Sequence, residues 1–155
     1  IDPSLAWILA NKAGISIDEY QHVINHESGL LAVSELSSDM YTLLQNQDSN
    51  PRAALAVELF CYQAQKAIGG LVATIGGLDS VVFFFFIAEQ SAEIRRRICE
   101  GLEYLGVRID PDANERRDRL ISAADSQVGV HVIPTDESII IARNILSTHR
   151  QTKDV

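Results

Sequence analysis

Residues 79 to 97, DSVVFFFFIAEQSAEIRRR, constrain the fold more than any other stretch of the chain. Eight apolar residues run unbroken from Val81 to Ala88, including the consecutive phenylalanines Phe83 to Phe86, and the chain then turns polar with helical spacing. A membrane helix needs roughly 20 apolar residues, so this run is expected to be a strand buried in a parallel sheet, where continuous apolar stretches belong. The spacing predicts a strand over 80–87 and a helix over 91–105 with Ser91 as its N-cap. Gly106 to Ile109 reads as a short extended piece and DPDANERRD as a polar loop. Two further strands are expected at 119–122 and 128–133, before Pro134-Thr135 opens a last helix over 136–148. Strand, helix, strand, helix is the order of a parallel sheet covered by helices. The expected fold class is therefore α/β, helix-rich, with a few mostly parallel strands.

The first half reads as helices. Asp2-Pro3 suits a helix entrance, Leu5, Ile8 and Leu9 follow at helical spacing, and Gly14 stops the run. Ser16 with Glu19 makes a capping box for a second helix that ends near Ser28-Gly29. Residues 29–37 read as a loop or short irregular segment. Ser38 or Asp39 caps a short helix carrying Met40, Leu43 and Leu44. Asn50-Pro51 then starts one long helix to Ile75, with Gly69-Gly70 inside it as a sign of close packing.

The 155 residues, 46% of them hydrophobic, are enough for one ordinary domain. A net charge of −8 argues against a nucleic-acid partner, whose binding depends on clustered Lys and Arg. No charged-then-apolar leader opens the chain, no stretch is long enough to span a membrane, and Cys61 and Cys99 sit in helical patterns without metal-type spacing. A cytoplasmic location with reduced core thiols is expected. The chain opens on Ile1, as expected of a processed or truncated end or of one piece of a larger enzyme.

Two strand-to-helix turns carry the candidate chemistry, because ligands in open α/β sheets sit at the carboxyl ends of strands. At the first, Ile87-Ala88-Glu89-Gln90-Ser91, backbone N–H groups could hold an anion or a nucleotide's polar edge, or simply cap a helix. At the second, Pro134-Thr135-Asp136-Glu137, acidic residues suit a helix start, and Glu137 could ligate a Mg²⁺ that rides on a phosphate. Asp39 caps a helix or holds a ligand. Arg95-Arg96-Arg97 is a phosphate clamp or, with Glu93 and Glu100 nearby, a solvated helix face, which is the favoured reading. His22 and His26, four apart, make at most a weak metal pair.

In order along the chain, these pieces resemble the C-terminal part of the acetate/propionate/butyrate kinase family. IDPSL is similar to the tail of G-T-R-[SC]-G-D-[IV]-D-P, and NHESGLLAVSELSSDM to N-x-x-S-G-L-x-G-[LIV]-S-x-x-S-x-D-[MF]-R. IAEQSAEIRRR resembles the stretch that opens within F-T-x-G-I-[GA]-E-[NH]-S, and VIPTDESIIIAR resembles V-I-P-T-N-E-E-x-x-I-A-R. The resemblance covers nearly the whole chain. It implies the C-terminal portion of an actin/sugar-kinase-type domain with an RNase H-like sheet, the first domain and the opening strands lying outside these 155 residues. It implies transfer of the ATP γ-phosphoryl to acetate, giving acetyl phosphate and ADP, with Mg²⁺ as cofactor, a short carboxylate as co-substrate and a homodimer as assembly. The family's catalytic groups lie upstream, so none is expected here. Asp39, Met40, Tyr41, Phe86, Ile87, Ala88, Glu89 and Gln90 would line the nucleotide site, and Glu137 would help hold Mg²⁺.

The departures from the family pattern all fall on that nucleotide side. Tyr41 stands where the family has Arg, Phe84-Phe85-Phe86 where it has Thr-Gly-Gly or Thr-Ala-Gly, Ala88 where it has Gly, and Gln90 where it has Asn or His. Glycines there let a backbone approach its ligand and adopt dihedrals that a Cβ forbids. Three phenylalanines add bulk, and Tyr for Arg removes a permanent cation. The expectation is a nucleotide site impaired or redesigned, with a natural pseudo-enzyme as the second reading. The alternative function is a non-catalytic module that binds an apolar ligand or dimerises on the same scaffold.

Overall fold

The computed structural model describes residues 4–135. The expected helix over 136–148 lies outside them. The chain divides into two compact bodies, Ile1–Ala67 and Ile68–Val155.

The first body is helical. Its elements are α1 (Ser4–Ala13), α2 (Ile17–His22), α3 (Gly29–Ser34), α4 (Met40–Asn46) and most of α5 (Pro51–Ile75). The Ser16 capping box forms as the sequence predicts: the Ser16 hydroxyl accepts from Glu19 N at 3.2 Å, and Glu19 Oε2 accepts from Ser16 N at 2.8 Å. After α2 the chain widens into one π-turn, Val23–Glu27. Residues 29–34, expected as loop, are helical instead. Gly29, at φ +64°, lets the chain reverse into α3, and Glu35 ends it in the left-handed region at φ 50°. The Ser34 side chain, buried, accepts from Leu36 N and Ser37 N, so this corner carries its own hydrogen bonds. In α5 the buried residues Ala53, Ala56, Val57 and Cys61 fall on one stripe at helical spacing.

The second body contains the last turns of α5, β1 (Ser80–Phe83), α6 (Phe86–Gln90), α7 (Ala92–Glu100), α8 (Pro111–Arg116) and β2 (Gly129–Val132). β1 and β2 pair in parallel, with Ser80 opposite Gly129 and Phe83 opposite Val132. Val81, Phe83, Val130 and Val132 are buried on one face, together with Ile94, Ile98, Leu102, Val107 and Ile121. Val82 on the other face is exposed, so β1 alternates as a half-buried strand rather than one covered on both faces.

Four expectations are corrected here. The strand stops at Phe83, not at residue 87: Ile133 N donates to Phe83 O at 2.9 Å, and then Phe85 and Phe86 take φ of 67° and 40° and turn the chain into α6. The helix over 91–105 ends at Glu100 and resumes only as a 3₁₀ turn, Glu103–Leu105, closed by Gly106 at φ 84°. DPDANERRD holds a helix, α8, because Asp110 accepts from Ala113 N at 2.8 Å and Pro111 sits at the first helical position. Residues 119–122 form isolated bridges rather than a full strand. Leu120 faces His131, Ile109 faces Ser122, and Ile121 N donates to Val130 O at 2.8 Å. The sign of close packing in α5 holds for Gly69, whose added Cβ would lie 3.2 Å from the Tyr104 hydroxyl. Gly70 has open space.

Candidate functional site

The sequence-derived site residues fall into two groups, one in each body, and a third position, Glu137, lies outside the described residues. In the first body Asp39 is the N-cap of α4. Its carboxylate accepts from Tyr41 N at 3.4 Å and from Thr42 N and Oγ1 at 3.0 and 2.7 Å. These bonds, led by the Thr42 hydroxyl, hold Asp39 below the usual carboxylate range. Met40 points inward and is buried, whereas Tyr41 is exposed. Of this triplet, Tyr41 and the free lone pairs of Asp39 face solvent.

In the second body the other five, Phe86 to Gln90, make up α6, which the turn from β1 leads into. The backbone at Phe85 (φ 67°, ψ 130°) and Phe86 (φ 40°) lies where glycine is at ease and a Cβ is strained. Phe84, Phe85 and Phe86 are 56%, 40% and 73% exposed, and the rings of Phe85 and Phe86 meet edge to face with centroids 4.4 Å apart. Ile87, Ala88 and Glu89 are partly covered. The Glu89 carboxylate accepts from Thr135 N at 3.3 Å, which ties the first strand-to-helix turn to the residues that follow β2. Gln90 Oε1 accepts from Arg117 Nη1 at 2.5 Å. The turn residues are thus brought together with Thr135 at the carboxyl ends of the two parallel strands.

The reading of Arg95 to Arg97 as one solvated face holds for two of the three. Arg96 and Arg97 pair with Glu93, and Arg96 also with Glu100. Hydrogen bonds from Arg96 above all, then Arg97, hold the Glu93 carboxyl below its ordinary value. Arg95 is fully buried. Its Nη1 donates to the carbonyls of Ala88 and Glu89 at 3.0 and 2.7 Å, its Nε to Asn114 Oδ1 at 2.7 Å, and its Nη2 to Asn114 O at 2.8 Å. Sequence reasoning missed Asn114 and Arg117, and it placed Arg95 on a solvated face. A signal for Arg95 existed: it shares a helical stripe with Ile94, Ile98, Cys99 and Leu102, one position round from the paired Arg96.

His22 and His26 stack at 4.9 Å, and His22 Nε2 lies 3.3 Å from Glu27. Among the described residues no group of three His, Cys, Asp or Glu side chains is placed to hold a metal ion. No described helix is long and apolar enough to cross a membrane.

A parallel strand pair with flanking helices and a left-handed turn at the strand's carboxyl end makes the second body an α/β unit, and the solved structures the chain resembles are of the actin/sugar-kinase kind. The comparisons agree in detail. The model of the acetokinase family matches residues 1–143. The acetate kinase of Rhodopseudomonas palustris strain TIE-1 is 45% identical over 147 residues, covering 94% of this chain and 36% of the relative. That of Solibacter usitatus is 43% identical over 149 residues, again 36% of the relative. The crystal structure of Porphyromonas gingivalis acetate kinase superposes with a TM-score of 0.84 at 32% identity, over 95% of this chain and 38% of that one. A propionate kinase from Francisella tularensis gives 0.84 at 31% identity, over 92% of this chain and 37% of that one. The chain belongs to the acetokinase family, and it spans a little over a third of the length of the relatives it matches.

Proposed function

We propose that this chain supplies the nucleotide side of an acetate-kinase-type phosphotransferase. In the full reaction a carboxylate oxygen of acetate attacks the γ-phosphorus of ATP, the bond to the β,γ-bridging oxygen breaks, and acetyl phosphate and ADP leave. Such chemistry rests on positioning and on neutralising the charge of the transferred group. The observation that carries the reading is the β1–α6 turn. Two successive residues there take positive φ at the carboxyl end of a parallel strand, a backbone shaped for close approach to a ligand. On this reading Phe86 to Gln90 are the nucleotide-side residues of the second body, and Asp39, Met40 and Tyr41 are the family-derived nucleotide residues of the first. Residues 1–155 are part of the second domain of a longer protein whose first domain brings the catalytic groups. Glu137 is the family-derived Mg²⁺ ligand, and the metal, when bound, would offset phosphate charge. A cytoplasmic homodimer is the corresponding setting.

The exposure of Phe84 to Phe86 and the edge-to-face contact of Phe85 with Phe86 favour a second reading, in which the turn offers an aromatic wall to an apolar ligand. Calorimetric titration of Mg-ADP separates the two. The chain is compared with the variant carrying Phe84→Thr, Phe85→Gly, Phe86→Gly and Tyr41→Arg. Binding by the variant alone identifies a nucleotide pocket that the phenylalanines obstruct, and binding by both identifies a turn that tolerates bulk. Binding by neither removes the support for a nucleotide site in this part of the protein.

A further inference from the structure

We infer that Arg95 and Asn114 form a positioning clamp that holds α6, and with it the β1–α6 turn, in its ligand-facing conformation. The inference deepens the nucleotide-site reading and rests on it for the identity of the ligand, but not for the clamp itself.

α6 is only five residues long, and its final carbonyls have no partners within the helix. Two of them, Ala88 O and Glu89 O, receive Nη1 of Arg95. The rest of the guanidinium reaches Asn114 on α8, through Nε to the side-chain oxygen and through Nη2 to the main-chain carbonyl. Asn114 is itself buried, and its Nδ2 donates to Ala92 O at 2.9 Å, at the start of α7. One buried cation therefore fixes α6, α7 and α8 to one another, and every hydrogen-bond acceptor it uses is uncharged.

Arginine suits this place and lysine does not. The planar fork presents five N–H donors in fixed directions, so one side chain can address two helices at once. A lysine ammonium has three donors at a single point. Burial pushes the Arg95 pKa down, with the nearby Arg117 adding to the effect, but a guanidinium remains charged near neutrality. Gln90 and Glu89 are tied as well, to Arg117 and to Thr135 N. Those contacts lie at the surface, where water can replace them, whereas the Arg95 bonds to Ala88 O and Glu89 O are part-buried and its bonds to Asn114 are buried. The backbone that Arg95 grips follows directly on Phe85 and Phe86, whose positive φ values set the direction of the turn. Releasing the grip should free the turn locally before it unfolds the body.

The test is hydrogen–deuterium exchange of the full chain, read peptide by peptide, on three variants. Arg95→Lys keeps a charge but loses the fork. Asn114→Leu removes the partner at similar volume, and Asn114→Asp keeps an acceptor for Arg95. The expected result for Arg95→Lys and Asn114→Leu is exchange at least about tenfold faster over residues 84–91, with protection of α5 and β2 unchanged. Asn114→Asp, which keeps the acceptor for Arg95 and loses only the bond to Ala92 O, should stay closer to the parent over 84–91 than Asn114→Leu does. A merely structural role predicts a different pattern, in which exchange rises uniformly across the second body. That pattern, or unchanged exchange over 84–91 in Asn114→Leu, overturns the clamp. Should Arg95→Lys fail to fold, the Asn114 pair decides alone. Mg-ADP titration runs beside it. Loose-turn variants that bind at least about tenfold more weakly than Asn114→Asp support the positioning role toward ligand. If neither the parent chain nor the variant carrying Phe84→Thr, Phe85→Gly, Phe86→Gly and Tyr41→Arg binds Mg-ADP, the nucleotide reading is refuted while the exchange result still stands for or against the clamp.

Discussion

Phe85 and Phe86 occupy a backbone that belongs to glycine, and the energetic consequence can be measured without reference to any ligand. The useful comparison is between two double variants, Phe85→Ala with Phe86→Ala and Phe85→Gly with Phe86→Gly. Both remove the same two rings, so the loss of their partial burial and of their edge-to-face contact cancels between them. What remains is one Cβ at each of two positions with φ of 67° and 40°. Holding an L-residue in left-handed backbone costs roughly 1–2 kcal/mol per residue. The greater freedom of glycine in the unfolded chain returns about 0.5–1 kcal/mol of that. The glycine pair should therefore be more stable than the alanine pair by about 1–2 kcal/mol, or roughly 3–6 °C in Tm for a chain of this size. Leu71, exposed in the interior of α5, serves as the control. There Leu71→Gly should be less stable than Leu71→Ala by about 1 kcal/mol, since an interior helix position favours alanine. Urea midpoints at constant slope give the differences directly. An alanine pair as stable as the glycine pair, with the control behaving normally, would refute the claim that the fold demands left-handed backbone after β1.

Two further outcomes concern titrating groups. Asp39 accepts its capping bonds as a carboxylate and its pKa is depressed, so the cap is fully present above the unfolded value of about 3.9 and is lost as pH falls through the lower folded value. Protection of the Tyr41 and Thr42 amides, relative to their intrinsic exchange rates, should fall below about pH 4, and Asp39→Asn should flatten that dependence; a pH-independent cap in the parent would count against the assigned bonds. Burial pushes the Cys99 thiol up to about 12, a rise only partly offset by Arg95. The neutral thiol therefore favours the native state below the unfolded value of about 8.5, and this contribution is lost as pH climbs from there toward 12. A disulfide reagent at pH 8 should leave Cys99 unmodified until urea unfolds the chain, whereas rapid labelling of the native protein would show that the thiol is accessible.

The candidate site was partly legible. The strand entering at Ser80, the Ser91 cap of α7 and the Asp39 cap of α4 could all be read, whereas the apolar run carried the strand on to residue 87 and only the family resemblance pointed to a turn at Phe84 to Phe86. Each depends on residues within three or four of one another, or on the apolar run of the strand itself. Asp110-Pro111 carried a start signal for α8 of the same local kind, but the polar run after it outweighed that signal. Gly29 likewise announced a reversal without saying that a helix would follow. Glu137 and the helix expected after Thr135 lie outside the described residues.

By itself the sequence determined the α/β class, the parallel strand pair, the caps and the family, because these follow from spacing, side-chain chemistry and ordered motifs along one chain. Only the tertiary structure decided where β1 ends and which arginine goes inside. Phe83 is the last strand residue because its partner across the ladder, Val132, lies far along the chain and is followed by the hydrogen bond from Ile133. Arg95 looked like one of three surface cations because its reason for burial, Asn114, is 19 residues away. A buried guanidinium is tolerable only when fixed acceptors replace its water. Those acceptors come from α6 and α8, which meet around Arg95 only once the second body has folded.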